Sequence, residues 1–281
     1  MIPTSDLRLL VIDAYDAAGR DGLDRAGATR AGLLYDRMLT RLVPDARLDH
    51  ISFAHADPHP PEPLDTYHGV LWTGSSLTLY HDTPITRTQI ALARATFQAG
   101  VPTFGSCYGA QLAVTAAGGQ VAANPRGREF GLARKITLTA EGRDHPMYAG
   151  KPIAFDAFTC HSDMVTQLPP GATLLAGNTF TPVQAVSVFH ANGHFWAPQY
   201  HPEYDLHEIA RLAVARGASL LAQGAFADQS SLNRYAADLE TLHASPQPHI
   251  AFTYGIDDDV TDFDARTREV RNWLQHLTHQ A

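Results

Sequence analysis

The segment Val101-Pro-Thr-Phe-Gly-Ser-Cys-Tyr-Gly-Ala-Gln111 combines a predicted strand, a tight turn and the start of a predicted helix. Its first residues, 101–104, predict a short strand, and the residues at its end begin a predicted helix. Cys107 lies on the tight turn between them, flanked by Gly105 and Gly109. Small neighbours permit the strained backbone of a nucleophile elbow, and the N-terminus of the following helix favours the thiolate. A buried, unreactive cysteine is an equally good interpretation of Cys107 taken alone.

A second segment supplies the partners that a nucleophilic cysteine needs. The run His194-Phe-Trp-Ala-Pro-Gln-Tyr-His-Pro-Glu-Tyr204 ends a strand-like stretch with His201 and Glu203. Residues two apart in an extended chain share one face, so Glu203 can accept a hydrogen bond from one imidazole nitrogen while the other faces the thiol. This is the arrangement of nucleophile, base and orienting residue in a catalytic triad. In a chain with 15 histidines, a His-x-Glu pair by itself is more often a surface pair.

Strands and helices alternate through the first half of the chain. A continuous apolar run at 7–12 predicts a strand buried on both faces of a parallel sheet. Further strands are predicted at 48–53 and 69–72, and helices at 30–42 and 84–98. The Gly- and Asp-rich residues 13–29 predict a long loop that could act as a lid. The alternation predicts an α/β fold with an open, mostly parallel sheet and helices on both faces.

The pattern changes twice after this point. It becomes strand-rich beyond Gly118-Gly119, and after residue 205 it becomes helical. Helices are predicted at 206–223, 228–243 and 264–278, with a Pro-containing break at 245–249. We therefore expect a catalytic domain over 1–205 and a C-terminal helical extension over 206–281 that packs on the core or on a partner subunit. The alternative for the extension is a partner-recognition patch at the aromatic and acidic residues 252–259.

Composition excludes several classes of protein. Lys and Arg number 21 against 29 Asp and Glu, so the net charge is −8, which disfavours nucleic acid and anionic membrane surfaces as partners. Two cysteines cannot build a disulfide framework, and the N-terminus lacks a signal-peptide pattern, so we expect a cytoplasmic protein. No apolar run approaches the roughly 20 residues of a membrane-spanning helix.

Together the two segments resemble the class I glutamine amidotransferase family. The family's Gly-x-Cys-x-Gly elbow matches 105–109, and its Gln-Phe-His-Pro-Glu signature matches 199–203. Within the family the chain is most similar to the amidotransferase domain of GMP synthetase, whose Ser-Gly-Gly-Pro stands where this chain has Thr73-Gly-Ser-Ser76. That domain's Arg-Glu-Tyr-Gly and His-Gly-Asp are similar to Arg128-Glu-Phe-Gly131 and His161-Ser-Asp163. The resemblance runs in order over 7–205 and implies the flavodoxin-like fold of this family, in a stand-alone member.

The resemblance implies the reaction and its three central residues. Cys107 attacks the side-chain carbonyl carbon of a γ-glutamyl amide and forms a γ-glutamyl thioester, with release of ammonia or an amine. A water molecule activated by His201 hydrolyses the thioester, and Glu203 holds the imidazole.

It also implies how the substrate is held. The oxyanion would receive N–H groups from Tyr108 and Ser75, on a loop shaped by Gly74. The implied substrate-binding residues are Gly74, Gln111, His161 and Ser162. Ser75-Ser76 replaces Gly-Pro, and Ser162 replaces a glycine, so the oxyanion loop could differ because serine lacks the freedom of glycine at positive φ.

The sequence gives little support for a metal site, a second nucleophilic cysteine or a nucleotide site. His55-Ala-Asp57-Pro-His59 has metal-ligand residue types, but a Pro-rich loop of this kind is more often solvated, and we expect no metal site. Cys160 is expected to be a packed cysteine rather than a second nucleophile. The sequence has no phosphate-binding Gly-x-x-x-x-Gly-Lys and no Ser-Gly-Gly-x-Asp-Ser, so we expect no nucleotide and no cofactor.

Three functions stay open. The favoured one is a stand-alone hydrolase of glutamine or of an N-substituted γ-glutamyl amide. The second is a glutaminase subunit that delivers ammonia to a separate synthase, and the third is a catalytically silent regulatory or binding subunit with the same fold. A homo-oligomer is compatible with each of them.

Overall fold

The computed structural model describes residues 3–56 and 58–280. Its strands are β1 (Arg8–Asp13), β2 (Arg47–Ser52), β3 (Gly69–Trp72), β4 (Thr103–Gly105), β5 (Gln120–Ala123), β6 (Glu129–Leu138), β7 (Ala154–His161), β8 (Asp163–Gln167), β9 (Ala172–Gly177), β10 (Ala185–His190) and β11 (Gly193–Pro198). Its α-helices are α1 (Ala17–Ala26), α2 (Ala31–Leu42), α3 (Pro84–Ala99), α4 (Tyr108–Ala116), α5 (Ala140–Asp144), α6 (Leu206–Ala215), α7 (Gly217–Ala222), α8 (Gln229–Ala244), α9 (Pro248–Tyr254), α10 (Asp258–Thr261), α11 (Phe263–Arg266) and α12 (Arg268–Gln280).

One nine-stranded sheet organises the molecule, in the order β2-β1-β3-β4-β11-β10-β9-β6-β7. The first five strands of this order pair in parallel, and the remaining pairs are antiparallel. β5 and β8 form a separate two-stranded sheet. The predicted α/β fold is confirmed, and the antiparallel strands account for the strand-rich pattern of the second half.

Side chains of the central strand β1 show how both faces of the sheet are covered. Leu9 and Val11 belong to a buried cluster with residues of α2 and α12, whereas Leu10 and Ile12 belong to a cluster with residues of α3 and α4. Successive strand residues point to opposite faces, so a continuously apolar strand needs cover on both sides. Helices therefore lie on both faces of the sheet.

The last helix, α12, takes part in this cover. Trp273 is 1% exposed, and its ring packs against that of Phe104 with the centroids 5.8 Å apart. A Cβ at Gly69 would lie 2.6 Å from the Trp273 indole, so the strand needs glycine at this close approach. The end of the chain thus lies against the parallel half of the sheet, on the same face as α2.

Two local predictions were wrong. Residues 13–29, predicted as a loop, contain α1, whose start is capped by the Asp16 side chain and whose end is marked by Gly27 at φ 72°. Leu23 is the buried side chain of this helix, so the apolar periodicity that reveals helices is nearly absent. The predicted helix 206–223 is interrupted at Arg216, where α6 ends and α7 begins. Within the residues that the structure describes, no helix is long and apolar enough to cross a membrane.

Candidate active site

The turn between β4 and α4 has the geometry of a nucleophile elbow. Cys107 has φ 53° and ψ −101°, a conformation that a non-glycine residue adopts at a cost and usually for function. A Cβ at Gly105 would lie 3.1 Å from the Cα of Gly109, and a Cβ at Gly109 would lie 3.0 Å from the carbonyl oxygen of Trp72. Both glycines are therefore needed for the chain to turn this tightly. The Cys107 N–H donates to the Pro198 carbonyl at 2.9 Å, which ties the elbow to the end of β11.

His201 and Glu203 follow β11 and lie together as the sequence predicted. His201 Nδ1 is 2.7 Å from Glu203 Oε1, and the two side chains are almost completely buried. The same carboxylate oxygen accepts the Ser106 hydroxyl at 2.9 Å. The imidazole also stacks on the Tyr204 ring, with the centroids 3.7 Å apart and the planes 4° from parallel. These contacts fix the ring on one side by a hydrogen bond and on its face by an aromatic ring.

The second imidazole nitrogen is left free. His201 Nε2 is buried and has no hydrogen-bond partner among the residues that the structure describes. Gly74 brings this ring next to the elbow, because a Cβ at Gly74 would lie 2.9 Å from His201 Cε1 and 3.8 Å from the Cys107 Cβ. A side chain at this position would collide with the imidazole. Gly74 therefore lets His201 and Cys107 approach each other.

The resting thiol is held in its neutral form. Burial raises the pKa of Cys107 well above its ordinary value, the nearby Cys160 and Glu203 raise it further, and the Tyr108 N–H opposes them. This direction is opposite to the lowering that the helix N-terminus predicts from sequence. A buried thiol needs a base within reach before it can act as a nucleophile, and the unpartnered Nε2 of His201 makes that ring the candidate.

A cavity of about 160 Å³ opens in front of the elbow. Six of the nine site residues predicted from sequence line it: Ser75, Cys107, Tyr108, Gln111, His161 and Ser162. Gly74, His201 and Glu203 do not line this cavity but lie in the buried layer behind Cys107. The structure thus brings the predicted residues together, with the thiol at the front and its candidate base behind it.

The serine replacements require no glycine-like backbone. Among the described residues, the non-glycine positions with positive φ are Cys107, Lys135 and Ala191, so Ser75 and Ser162 have ordinary conformations. The Ser75 hydroxyl donates to the Ala14 carbonyl at 2.9 Å and accepts the Leu77 N–H at 3.2 Å. The loop is therefore held by its own serine.

Gln111 and His161 are fixed by neighbouring groups at the far end of the cavity. Gln111 Nε2 donates to the Asp163 carbonyl and to Gln199 Oε1, both at 3.2 Å. His161 Nδ1 is 2.8 Å from the Asp163 carbonyl, and Nε2 is 3.0 Å from a carboxylate oxygen of Glu129. Both ring nitrogens of His161 are thus engaged in protein contacts.

Sequence reasoning missed part of the cavity wall. Tyr15, Arg128, Cys160, Tyr204 and Arg216 also line it. Cys160 is half-buried and lies 3.7 Å from Arg128 Nη1, without an elbow of its own. Tyr204 follows Glu203 directly and Arg128 opens a quoted motif, so both could have been suspected, but no local signal marks Tyr15 or Arg216.

Within residues 3–56 and 58–280, no group of three His, Cys, Asp or Glu residues could hold a metal ion. Of the His55–His59 loop considered from sequence, Asp57 lies outside the described residues.

The fold and the site define an α/β protein with a cysteine elbow, a buried His-Glu pair and a small polar cavity. The family model for glutamine amidotransferase class-I matches residues 55–216. The chain belongs to the class I glutamine amidotransferase family.

Named relatives and solved structures agree with this assignment. A γ-glutamyl-L-1-hydroxyisopropylamide hydrolase of Pseudomonas sp. is 33% identical, over 96% of this chain and 93% of that protein. The GMP synthase (glutamine-hydrolyzing) of Thermomicrobium roseum is 31% identical over 61% of this chain, which spans only 30% of that enzyme. A glutamine amidotransferase structure from Thermotoga maritima superposes with a TM-score of 0.67 at 16% identity, covering 98% of this chain and 99% of that one. One from Methylobacillus flagellatus gives 0.64 at 20% identity and covers 96% and 94%.

Proposed function

We propose that this protein hydrolyses a γ-glutamyl amide through a thioester on Cys107, with His201 as base and Glu203 as the residue that orients it. The observation that carries the proposal is the free Nε2 of His201, in a ring whose Nδ1 is held by Glu203 at 2.7 Å beside the strained cysteine. A buried nitrogen without a partner is costly unless it has a reaction partner. This argues against a catalytically silent subunit.

The reaction begins with proton transfer from the Cys107 thiol to His201 Nε2. The sulfur attacks the γ-carbonyl carbon, and the oxyanion receives the N–H groups of Tyr108 and Ser75. His201 returns the proton to the departing nitrogen as the C–N bond breaks, which leaves the thioester. His201 then takes a proton from water, the hydroxide attacks the thioester carbon, and the thiol leaves with that proton while glutamate is released. Glu203 stabilises the imidazolium at each stage.

The comparisons favour a stand-alone hydrolase over an amidotransferase subunit. The Pseudomonas relative named as a γ-glutamyl amide hydrolase is matched along nearly its whole length, C-terminal region included. The GMP synthases are matched over about a third of their length or less. These synthases and a similar structure described as a putative GMP synthase subunit support the second candidate, a glutaminase that supplies ammonia to a partner. For either function we propose the cytoplasm, where both free cysteines would stay reduced.

Purified full-length protein, without any partner, tests the proposal. Release of glutamate from glutamine and from several γ-glutamyl amides is followed by mass spectrometry, for the wild type and for Cys107→Ala. We expect turnover of at least one substrate by the wild type and none by Cys107→Ala with an unchanged circular dichroism spectrum. Turnover retained in Cys107→Ala would contradict the thioester mechanism. Turnover that appears only after a synthase is added would favour the second candidate.

A further inference from the structure

The cavity in front of Cys107 has a cationic end without acidic partners. Arg128 and Arg216 both line it, and neither takes part in any ion pair among the described residues. Arg128 Nε is buried and lacks a hydrogen-bond partner within the part of the chain that the structure describes. Desolvating guanidinium groups without pairing them is unfavourable. Two such groups in one small cavity indicate that anionic groups of a ligand complete it.

Arg216 owes its position to an interruption in the C-terminal helices. It is the residue between α6 and α7, with φ −105° and ψ 7°. Burial alone would lower the pKa of its guanidinium, but the Tyr15, Cys160 and Tyr204 groups around it leave the pKa raised, so the side chain stays charged. The break between α6 and α7 therefore places a positively charged side chain in the cavity wall.

The charges in the cavity can be compared with those of a substrate. Of the acidic residues that the structure describes, Asp163 is the one in the cavity lining. A γ-glutamyl amide of a neutral amine carries one ammonium and one carboxylate, so it would pair with Asp163 and with one arginine. The second arginine would stay unpaired. A substrate with a second carboxylate, on its amine half, would pair with all three charged residues.

The positions of Arg128 and Arg216 indicate which of them lies near the amine half of the substrate. A second, outer cavity of about 580 Å³ lies between α1 and α6, and it shares Ser76, Leu77 and Arg216 with the inner one. Arg216 therefore stands where the inner cavity meets the outer one. The glutamyl half is expected at Gln111 and Ser162, so the amine half extends from Cys107 towards this junction. Arg128 does not line the outer cavity, and it directly precedes Glu129, whose carboxylate lies 3.0 Å from His161 Nε2, so this arginine lies nearer the glutamyl half.

We propose that Arg216 binds a carboxylate on the amine half of the substrate, so that the preferred substrates are γ-glutamyl conjugates of amino acids. This rests on the proposed hydrolase function and names its substrate class. This substrate class differs from the substrate for which the Pseudomonas relative is named, because the amine half of that substrate is a hydroxyisopropylamine. Binding by Arg216 also gives the C-terminal region a direct part in substrate recognition.

Three probes of increasing size test the proposal: glutamine, γ-glutamylethylamide and γ-glutamylglycine. They share the glutamyl half, and only the last has a carboxylate on its amine half. For the full-length wild type we expect kcat/KM for γ-glutamylglycine to exceed that for γ-glutamylethylamide by about tenfold or more, as a charge-assisted hydrogen bond provides. Equal or lower kcat/KM for γ-glutamylglycine would overturn the proposal without any variant being needed.

Variants of Arg216 test whether its side chain causes the preference for γ-glutamylglycine over γ-glutamylethylamide. Arg216→Gln should remove it, mainly by raising KM for γ-glutamylglycine, and should lower kcat/KM for γ-glutamylglycine about tenfold more than for glutamine or γ-glutamylethylamide. Arg216→Lys should restore part of it because the charge is kept. Arg25→Gln is the matched control, since Arg25 is an exposed residue that lines the outer cavity but not the inner one. It should leave all three probes unchanged.

Two further outcomes separate this proposal from the function on which it rests. An equal loss of kcat/KM on glutamine and γ-glutamylglycine in Arg216→Gln would show that Arg216 serves the glutamyl half, and would overturn the proposal while the hydrolase stands. Failure of the wild type to hydrolyse any of the three probes would overturn the hydrolase function itself, and the substrate class with it.

Discussion

The Cys107 elbow and the C-terminal helices are both anchored in buried structure, but by contacts of different range. The elbow is built from five consecutive residues, 105–109, whose glycines leave no room for a Cβ against Trp72 or against each other. The C-terminal helices instead depend on surfaces far away in sequence. Trp273 of α12 is 1% exposed against the sheet, whereas Phe252 of α9 is 89% exposed. A local motif thus defines the nucleophile, whereas long-range packing determines which C-terminal helices stabilise the fold.

The C-terminal helices also differ from one another in what they contribute to the molecule. Within the C-terminal region, α12 covers the sheet and Arg216 reaches the cavity, so one part contributes to stability and another to the site. We propose that residues 206–280 are not a separable appendage but complete the catalytic domain.

Trp273→Ala is expected to have the largest effect on stability. The indole is buried against Phe104 and Gly69, so its removal leaves a cavity and should lower the free energy of unfolding by about 3–5 kcal/mol. Phe252→Ala makes the same kind of change on α9 and should alter that free energy by less than about 0.5 kcal/mol. Urea unfolding of both variants measures the contrast.

A truncation after Gly224 extends this test. It removes α8 to α12, and with α12 part of the cover of one face of the sheet, so aggregation or unfolding is expected. A truncated protein that is folded, monodisperse and fully active would show that α12 is dispensable. Similar free energies of unfolding for Trp273→Ala and Phe252→Ala would lead to the same conclusion.

Sequence revealed the elbow and its partners because their signals are local. Gly105, Cys107 and Gly109 lie within five residues, and His201 and Glu203 are two apart on an extended segment, so their spacing predicts the local geometry. Neither pattern was decisive alone, and the resemblance to the amidotransferase family joined the two. The sheet could likewise be predicted from strand and helix periodicity.

Other parts depend on distant contacts, and sequence could not reveal them. α1 buries Leu23 and therefore lacks an apolar stripe. The break at Arg216 lies inside a continuous helical pattern, so neither its position nor the cavity that it lines can be inferred from its neighbours. The stripe of α12 predicts a buried face but does not say which surface covers it.

At the elbow, Glu203→Gln tests whether the carboxylate charge matters beyond geometry. Glu203 Oε1 accepts from His201 and Ser106, whereas Oε2 is buried without a partner among the described residues. An amide can therefore keep its oxygen towards His201 and place its nitrogen at the free position. The charge that stabilises the imidazolium is lost, and kcat should fall by about 100-fold, while Cys107→Ala has no turnover. Unchanged kcat would show that Glu203 acts only by position.

The smallest effect is expected where α6 meets the segment between α1 and α2. Glu208 is 1% exposed, and its Oε2 accepts the Thr29 N–H at 2.9 Å. Burial raises the pKa of this carboxyl to about 7, and the Thr29 N–H opposes the rise. The folded protein therefore keeps the proton at a pH where the unfolded chain, with an ordinary glutamate near 4.3, has lost it.

The sign of the pH dependence follows from this difference. As pH rises from about 4.3 to 7, the unfolded state binds fewer protons than the folded state, so the free energy of unfolding falls across this window. Glu208→Gln keeps an oxygen for Thr29 but cannot ionise, so its free energy of unfolding should fall less between pH 5 and 8 than that of the wild type. The exposed Glu141→Gln is the matched control and should follow the wild type. Urea unfolding at pH 5, 6, 7 and 8 measures all three proteins, and parallel curves for Glu208→Gln and the wild type would contradict the assignment of this pH dependence to Glu208.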